Sequence, residues 1–427
     1  MGVAMRWYSK VSAAVLAALL QACATAPAIA PVPAPAAAEA RPPVTILVSI
    51  DGFRSDYLAR GVTPVLSRLA TTGLTGVMHP SFPSKTFPNH WTLVTGLRPD
   101  RHGITANKME DAARPGETFT MATDDPFWWN EATPIWVDAE KAGIRTATMF
   151  WPGSNVAVGG ARAAKWPNDI TGGVRPEDWA QFNQVISGEQ RVNGVLDWLR
   201  RPVAIRPKFV TLYFDTVDTA GHTYGPDDGH TTQAAADVDR SIGLLVDGLA
   251  TMHQPVNFVI VADHGMAQTS SARTALLPQE LAATSYHLVE SGPYASLTPL
   301  PGHEGEVEKA VLGKHDHYEC WRKAEIPARF HYGSNPRIPA IFCLADIGWT
   351  VTDKAPGGNF TGGNHGYDNL APEMNALFVA NGPAFRPARI AAFDNVDIYP
   401  LLRDLLGLSA ASGVDGDDAP FRASLAH

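Results

Sequence analysis

Four segments carry apolar residues almost without a break: Val44 to Ile50, Phe209 to Phe214, Val256 to Val261 and Ala376 to Ala380. A strand with one wet face would alternate, so these runs predict strands buried on both sides, as in a parallel sheet covered by helices. Elsewhere the apolar spacing becomes helical, over Thr133 to Ala142 with Gly143 as its stop, Thr232 to Leu249, and Asp397 to Leu406 with Gly407 as its stop. Strands and helices alternate, and the expected fold class is α/β, a doubly wound, mostly parallel sheet flanked by helices. Sheets of this kind take ligands beyond the carboxyl ends of their strands, which makes Asp51, Asp218 and Asp263 candidates by position alone. The stretch 299–349 has weaker periodicity and mixed charge, and reads as an insertion packed beside the sheet.

Composition narrows the class. Of 427 residues, 45% are hydrophobic and 18% charged, which describes a globular chain able to bury a large core. One large domain over residues 44–427 is expected, because α/β folds often exceed the usual domain size without splitting. A net charge of -9 and the absence of any Lys/Arg block exclude tight binding to long nucleic acid.

The N-terminus reads as an address. Arg6 and Lys10 precede an apolar run from Val11 to Leu20, too short to cross a bilayer as a permanent helix, so residues 1–23 are expected to be an export signal. Leu20-Gln21-Ala22-Cys23 resembles a bacterial lipobox, with Gln21 a less usual filler, and Cys23 would then carry a lipid as the only membrane contact. Ordinary cleavage in the following stretch is the alternative. Residues 24–43 are rich in Pro and Ala with almost no large apolar side chain, and are expected to be an extended linker. The expected location is the periplasm or the outer membrane as a lipoprotein. Cys320 and Cys343 remain, and an even pair in an exported chain points to a disulfide, with two buried free thiols as the alternative.

The chain has no Walker A loop, dinucleotide fingerprint, His-Glu-x-x-His helix or Gly-x-Ser-x-Gly elbow. What it does have is a series of Asp and His residues at strand ends: Asp51 in Ser-Ile-Asp-Gly, Asp218 and His222 in Val-Asp-Thr-Ala-Gly-His, Asp263-His264-Gly265, and His365 in Gly-Asn-His-Gly-Tyr. Mixed Asp and His ligation suits Zn²⁺ or a similar borderline metal. Each piece alone would be a helix cap or a satisfied histidine. Together they fall where an α/β enzyme places ligands. His315-Asp316-His317 follows no strand and reads as a solvated loop.

With Phe-Pro-Ser-Lys-Thr-Phe-Pro-Asn-His at Phe82 to His90, Gly-Leu-Arg-Pro-Asp-Arg-His-Gly-Ile at Gly96 to Ile104 and Phe-Trp-Pro-Gly-Ser at Phe150, these motifs stand in a familiar order. Over nearly all of Val44 to Leu408 the chain resembles the nucleotide pyrophosphatase/phosphodiesterase family of the alkaline phosphatase superfamily. The resemblance implies two Zn²⁺, one held by Asp218, His222 and His365, the other by Asp51, Asp263, His264 and Thr86. It implies that Thr86 is the nucleophile, made an alkoxide by zinc, and that a phosphoryl-threonine diester forms and is released by water. It makes Asn107 a hydrogen-bond donor to the phosphoryl group, Phe87 a base-stacking residue, and Trp166 a position near its opposing aromatic.

Relatives of other chemistry fit less well. Sulfatases need a Cys or Ser in a Cys-x-Pro-x-Arg setting, where this chain has Thr86-Phe87-Pro88-Asn89-His90. Monoesterases of the superfamily carry a Lys-Asp-Arg grip, where this chain has Phe150 to Asn155 with Arg162 and Lys165 further on. The expected function is therefore hydrolysis of phosphodiester or pyrophosphate bonds in small nucleotides, with release of nucleoside 5′-monophosphates. Choline phosphodiesters or lysophospholipids are the alternative substrates. A catalytically dead binding lipoprotein would lack a ligand or the threonine, and none is missing.

Overall fold

The computed structural model describes residues 41–163 and 170–426. The expected signal, Cys23, the linker up to residue 40, Lys165 and Trp166 lie outside the described residues. Among those described, no helix is long and apolar enough to cross a membrane.

Nine strands build the central sheet: β1 (Val44–Ile50), β2 (Leu74–His79), β3 (Thr146–Met149), β4 (Asp178–Ala180), β5 (Phe209–Phe214), β6 (Val256–Val261), β7 (Ala376–Asn381), β8 (Ala388–Arg389) and β9 (Phe393–Asp394). They lie in the order β8-β2-β7-β6-β1-β5-β3-β4, with β9 also beside β2. Every residue of β1 and β5 is buried, as uninterrupted apolar runs require. All pairings are parallel except those of β7, which runs against both β6 and β2.

The expectation of a parallel strand at Ala376 to Ala380 is therefore corrected. A buried apolar run reports two covered faces and says nothing of direction. Direction comes from the connection: the Gly265 N–H bonds the Met374 carbonyl, so the chain enters β7 from the edge where β6 ends.

Helices α1 (Pro64–Thr72), α2 (Thr86–Thr95), α3 (Ile135–Lys141), α4 (Gly188–Arg200), α5 (Thr216–Tyr224), α6 (Gly229–Thr251) and α7 (Ile398–Leu405) accompany this sheet. Gly143 and Gly407 follow α3 and α7 in left-handed conformation, at φ +77° and +66°, and stop them as the sequence suggests. α2 is buried on every side except at Phe87. Trp91 on it is fully enclosed against Trp129 and Trp136, and its truncation to Ala would cost about 3–5 kcal/mol. Trp128, Trp129 and Trp136 are all core.

A second sheet of five antiparallel strands follows β6. Its order is Tyr286–Glu290, Tyr294–Pro299, Ile341–Ala345, Tyr318–Arg322, Gly313–His315, with helix Glu304–Val311 in between. Residues alternate across it. Leu297, Ile341 and Cys343 face one core with Val307, while Tyr294, Phe342 and Leu344 face another that contains Phe82. Cys320 and Cys343 are register partners on adjacent strands and form a disulfide.

Candidate active site

The sheet's topology collects the acidic and imidazole side chains at one edge. Asp51 follows β1, Asp263 and His264 follow β6 closely, and Asp218 and His222 lie one turn apart on α5, just past β5. His365 leaves a short strand, Thr361–Asn364, that pairs with Ala267–Ser270. Close approach of these loops demands glycine at Gly52, where φ is +66° and a Cβ would lie 2.9 Å from the Asp218 Cα. The Gly52 N–H donates to Asp263 Oδ1 at 3.2 Å.

Two groups emerge whose ligand atoms lie within 4.8 Å of one another: Asp218, His264 and His365, and Asp51, Asp263 and His264. His222 adjoins the first, its Nε2 3.4 Å from Asp218 Oδ2 and 3.2 Å from His365 Nε2. Thr86, the first residue of α2, places Oγ1 3.3 Å from His264 Nε2.

The hydrogen bonds behind these rings set their tautomers. Nδ1 of His222, His264 and His365 faces the carbonyls of Gly363, Gly265 and Ser84 at 2.9, 2.9 and 2.8 Å. A carbonyl only accepts, so Nδ1 carries the proton and Nε2 presents a lone pair. Burial is the largest influence on His264 and His365 and holds both neutral. The Nε2 atoms of His222 and His365 then face each other at 3.2 Å, and His264 Nε2 faces Asp263 Oδ2 at 2.9 Å. A divalent cation placed among them would satisfy these facing atoms together.

The carboxylates make the same statement. Asp51 Oδ1, Asp218 Oδ1 and Asp263 Oδ2 are buried without a hydrogen-bond partner. Burial, followed by the charges of Asp263 and Asp218, pushes the Asp51 carboxyl well above its usual range, and burial followed by Asp218 does so to Asp263. Native folds rarely leave such atoms orphaned, so one orphan on each of three neighbouring acids fits a divalent metal site. The second Asp51 oxygen accepts from the Tyr213 hydroxyl at 2.5 Å.

Asn107 Oδ1 accepts from the Phe87 N–H at 2.9 Å, which leaves the amide NH₂ as its available group. Asn107, Thr86 and Phe87 share one cavity of about 470 Å³ with Asp51, Asp218 and His365. Phe87 is half-buried at its wall, its ring 5.9 Å from that of Trp129. A second aromatic, Phe182, lines the same cavity with 43% of its surface exposed. Sequence reasoning missed it, because one Phe in a loop carries no periodic signal. Lys85, caught between Asp218 and Glu290 behind Thr86, was missed also; burial lowers its ammonium pKa against the pull of those two acids. Arg162 is turned elsewhere, paired with Asp125 at 2.7 Å.

A hydroxyl at a helix start, beside grouped Asp and His at the carboxyl edge of a mostly parallel sheet, fits a hydrolase of the alkaline phosphatase superfamily, and similarity to known proteins makes it a phosphodiester hydrolase. The chain belongs to the type I phosphodiesterase / nucleotide pyrophosphatase family, whose profile matches residues 45–368. It is 38% identical over 372 residues to the bis(5′-adenosyl)-triphosphatase enpp4 of Xenopus laevis, covering 86% of this chain and 78% of that protein. It is 36% identical over 392 residues to ectonucleotide pyrophosphatase/phosphodiesterase family member 1 of Rattus norvegicus, covering 88% of this chain but 42% of that longer protein. Among solved structures, inactive murine ectonucleotide pyrophosphatase/phosphodiesterase 5 in complex with AMP superposes with a TM-score of 0.83 at 33% identity, covering 90% of this chain and 100% of that one.

Proposed function

We propose that this chain is a zinc-dependent phosphodiesterase that cleaves small nucleotides and releases nucleoside 5′-monophosphates through a covalent intermediate on Thr86. The observation that carries the reading is the Thr86 hydroxyl, buried 3.3 Å from His264 Nε2 and opening onto a cavity with two aromatic walls. Two zinc ions suit the donors: Asp218, His222 and His365 for one, Asp51, Asp263, His264 and Thr86 for the other, with His264 within reach of both groups. When bound, they supply Lewis acidity to the hydroxyl and to the phosphoryl oxygens.

The residues of the chain do the rest. Thr86 Oγ bonds to phosphorus as the leaving oxygen departs, and the hydroxyl proton passes to solvent. Water then breaks the Thr86–phosphorus bond and restores the hydroxyl. The Asn107 amide donates to a nonbridging oxygen, and the amino end of α2 faces the developing charge. Phe87 and Phe182 offer flat apolar surfaces for a base, and a relative of the same fold has been solved with AMP. Arg162 pairs with Asp125 away from the cavity, and among the described lining residues no Arg or Lys is present to hold the extra charge of a monoester. Export as a periplasmic enzyme or lipoprotein accords with the disulfide and with the N-terminal segment.

The test is one assay of zinc-loaded protein on three substrates: the nitrophenyl ester of a nucleoside 5′-monophosphate, nitrophenyl phosphate and nitrophenyl phosphorylcholine. The nucleotide ester should be cleaved fastest. Preference for nitrophenyl phosphate would overturn the diesterase reading, and preference for the choline ester would replace the nucleotide by a phospholipid headgroup.

A further inference from the structure

The five-stranded sheet contributes no residue to the metal groups, yet one of its connections grips the loop that carries Asn107. Between Phe330 and Ile341 the chain crosses to residues 100–131 and bonds them densely. The Tyr332 hydroxyl donates to the Thr105 carbonyl at 3.0 Å, two residues before Asn107. Arg337, almost wholly buried, donates to the carbonyls of Gly103 and Trp128 at 2.8 Å each and to Asp111 Oδ2 at 2.8 Å, so it closes both ends of the Gly103–Asp111 loop. Asp100 accepts from three successive N–H groups, those of Gly333, Ser334 and Asn335, which locks the connection in place.

Tyr332 also touches the segment before the nucleophile. Its ring meets Phe82 edge-on at 5.4 Å, and Phe82 lies tilted against Phe330 at 4.2 Å and edge-on to Phe342 at 5.5 Å. Two residues after Phe82, the Ser84 carbonyl holds His365 Nδ1. One buried phenol thus packs against the approach to Thr86 with its ring and bonds the approach to Asn107 with its hydroxyl.

We propose that Tyr332 and Arg337 are positioning residues for the phosphoryl site, and that bracing the Asn107 loop against the start of α2 is what the second sheet contributes to catalysis. The proposal rests on the reading of Asn107 as a phosphoryl donor. The Asn107 amide is already tied to the Phe87 N–H, so its NH₂ is aimed only as well as the loop is held. Rotation of that loop moves the donor without disturbing metal ligands, which sit on other elements.

The test is a double-mutant cycle of wild type, Tyr332→Phe, Asn107→Ala and the double variant, each assayed for kcat, KM and zinc content on a nucleotide nitrophenyl ester and on methyl nitrophenyl phosphate. Tyr332→Phe keeps the ring and its packing and loses one hydrogen bond, so kcat should fall about fivefold on both substrates with zinc content unchanged. In the Asn107→Ala background the same change should cost nothing further. Arg337→Lys should repeat the pattern with a larger loss. Additive losses in the double variant, or a lower melting temperature with unaltered kcat, would overturn the bracing while leaving Asn107 in its role. Full activity in Asn107→Ala would remove that role itself, and the proposal with it.

Discussion

Replacing Phe182 by Ala isolates what the cavity's outer aromatic does. The residue has 43% of its surface exposed, and its ring meets Phe150 and Tyr213 edge-on at 5.8 and 5.7 Å, so its loss opens no closed core. Its apolar face lines the cavity. If a base stacks there, the ring contributes about 1–3 kcal/mol. At about 1.4 kcal/mol per tenfold, KM for a nucleotide ester should rise roughly 5- to 150-fold. A stack made equally in ground and transition states leaves kcat unchanged. Steady-state kinetics on a nucleotide nitrophenyl ester and on methyl nitrophenyl phosphate, which has no base, separates the effects. Only the first should change. Phe87→Ala is the less clean partner experiment, because Phe87 lies beside Thr86 and packs on Phe119 and Trp129, so kcat should fall as well. Equal changes on both substrates for Phe182→Ala, or none on the nucleotide ester, would refute base stacking at this wall.

Elemental analysis of active protein should give two zinc ions per chain, and chelation should abolish activity; one ion or none in active protein would contradict the donor assignment. Tyr213→Phe removes the hydroxyl that orients Asp51, and should weaken zinc binding about 10- to 100-fold in a chelator competition, unaltered affinity being the contrary result. Burial raises the Asp397 carboxyl to about 6, so folding takes up a proton there, and that contribution to stability is present below pH 4 and lost as pH rises to about 6. Asp397→Asn, which keeps an acceptor for the Asp417 N–H, should therefore gain melting temperature over wild type between pH 4 and pH 7, and a constant difference would exclude the effect.

The strands and the site edge were legible because each signal was local. Continuous apolar runs marked β1, β5 and β6, and an acid just past each of them marked the site. What local pattern cannot carry was lost. The direction of β7 depends on where the chain re-enters the sheet, and only the Gly265 to Met374 bond reveals it. The second sheet begins at Tyr286, upstream of the 299–349 stretch, because its first hairpin has the alternation of any half-buried strand pair. Tyr213 looked like one more apolar position of β5, whereas its hydroxyl supports Asp51 from the adjacent strand in space and from 162 residues away in sequence. Phe87 was found through the family resemblance, not through a local pattern. Phe182 is brought to the same cavity by the turn after β4, a placement that no local pattern marks, while Trp166 lies outside the described residues.

The central claim is that Thr86 is the atom source for attack on phosphorus, and the turnover of zinc-loaded Thr86→Ala tests it most directly. In the proposed assignment Thr86 is one donor of a site that keeps Asp51, Asp263 and His264, so the variant should fold and retain metal. Its rate on the nucleotide ester should fall by several orders of magnitude, as for other lost nucleophiles, with Thr86→Ser partly active. Near-normal turnover in Thr86→Ala with both zincs bound would mean that water attacks phosphorus directly and that Thr86 only begins a helix.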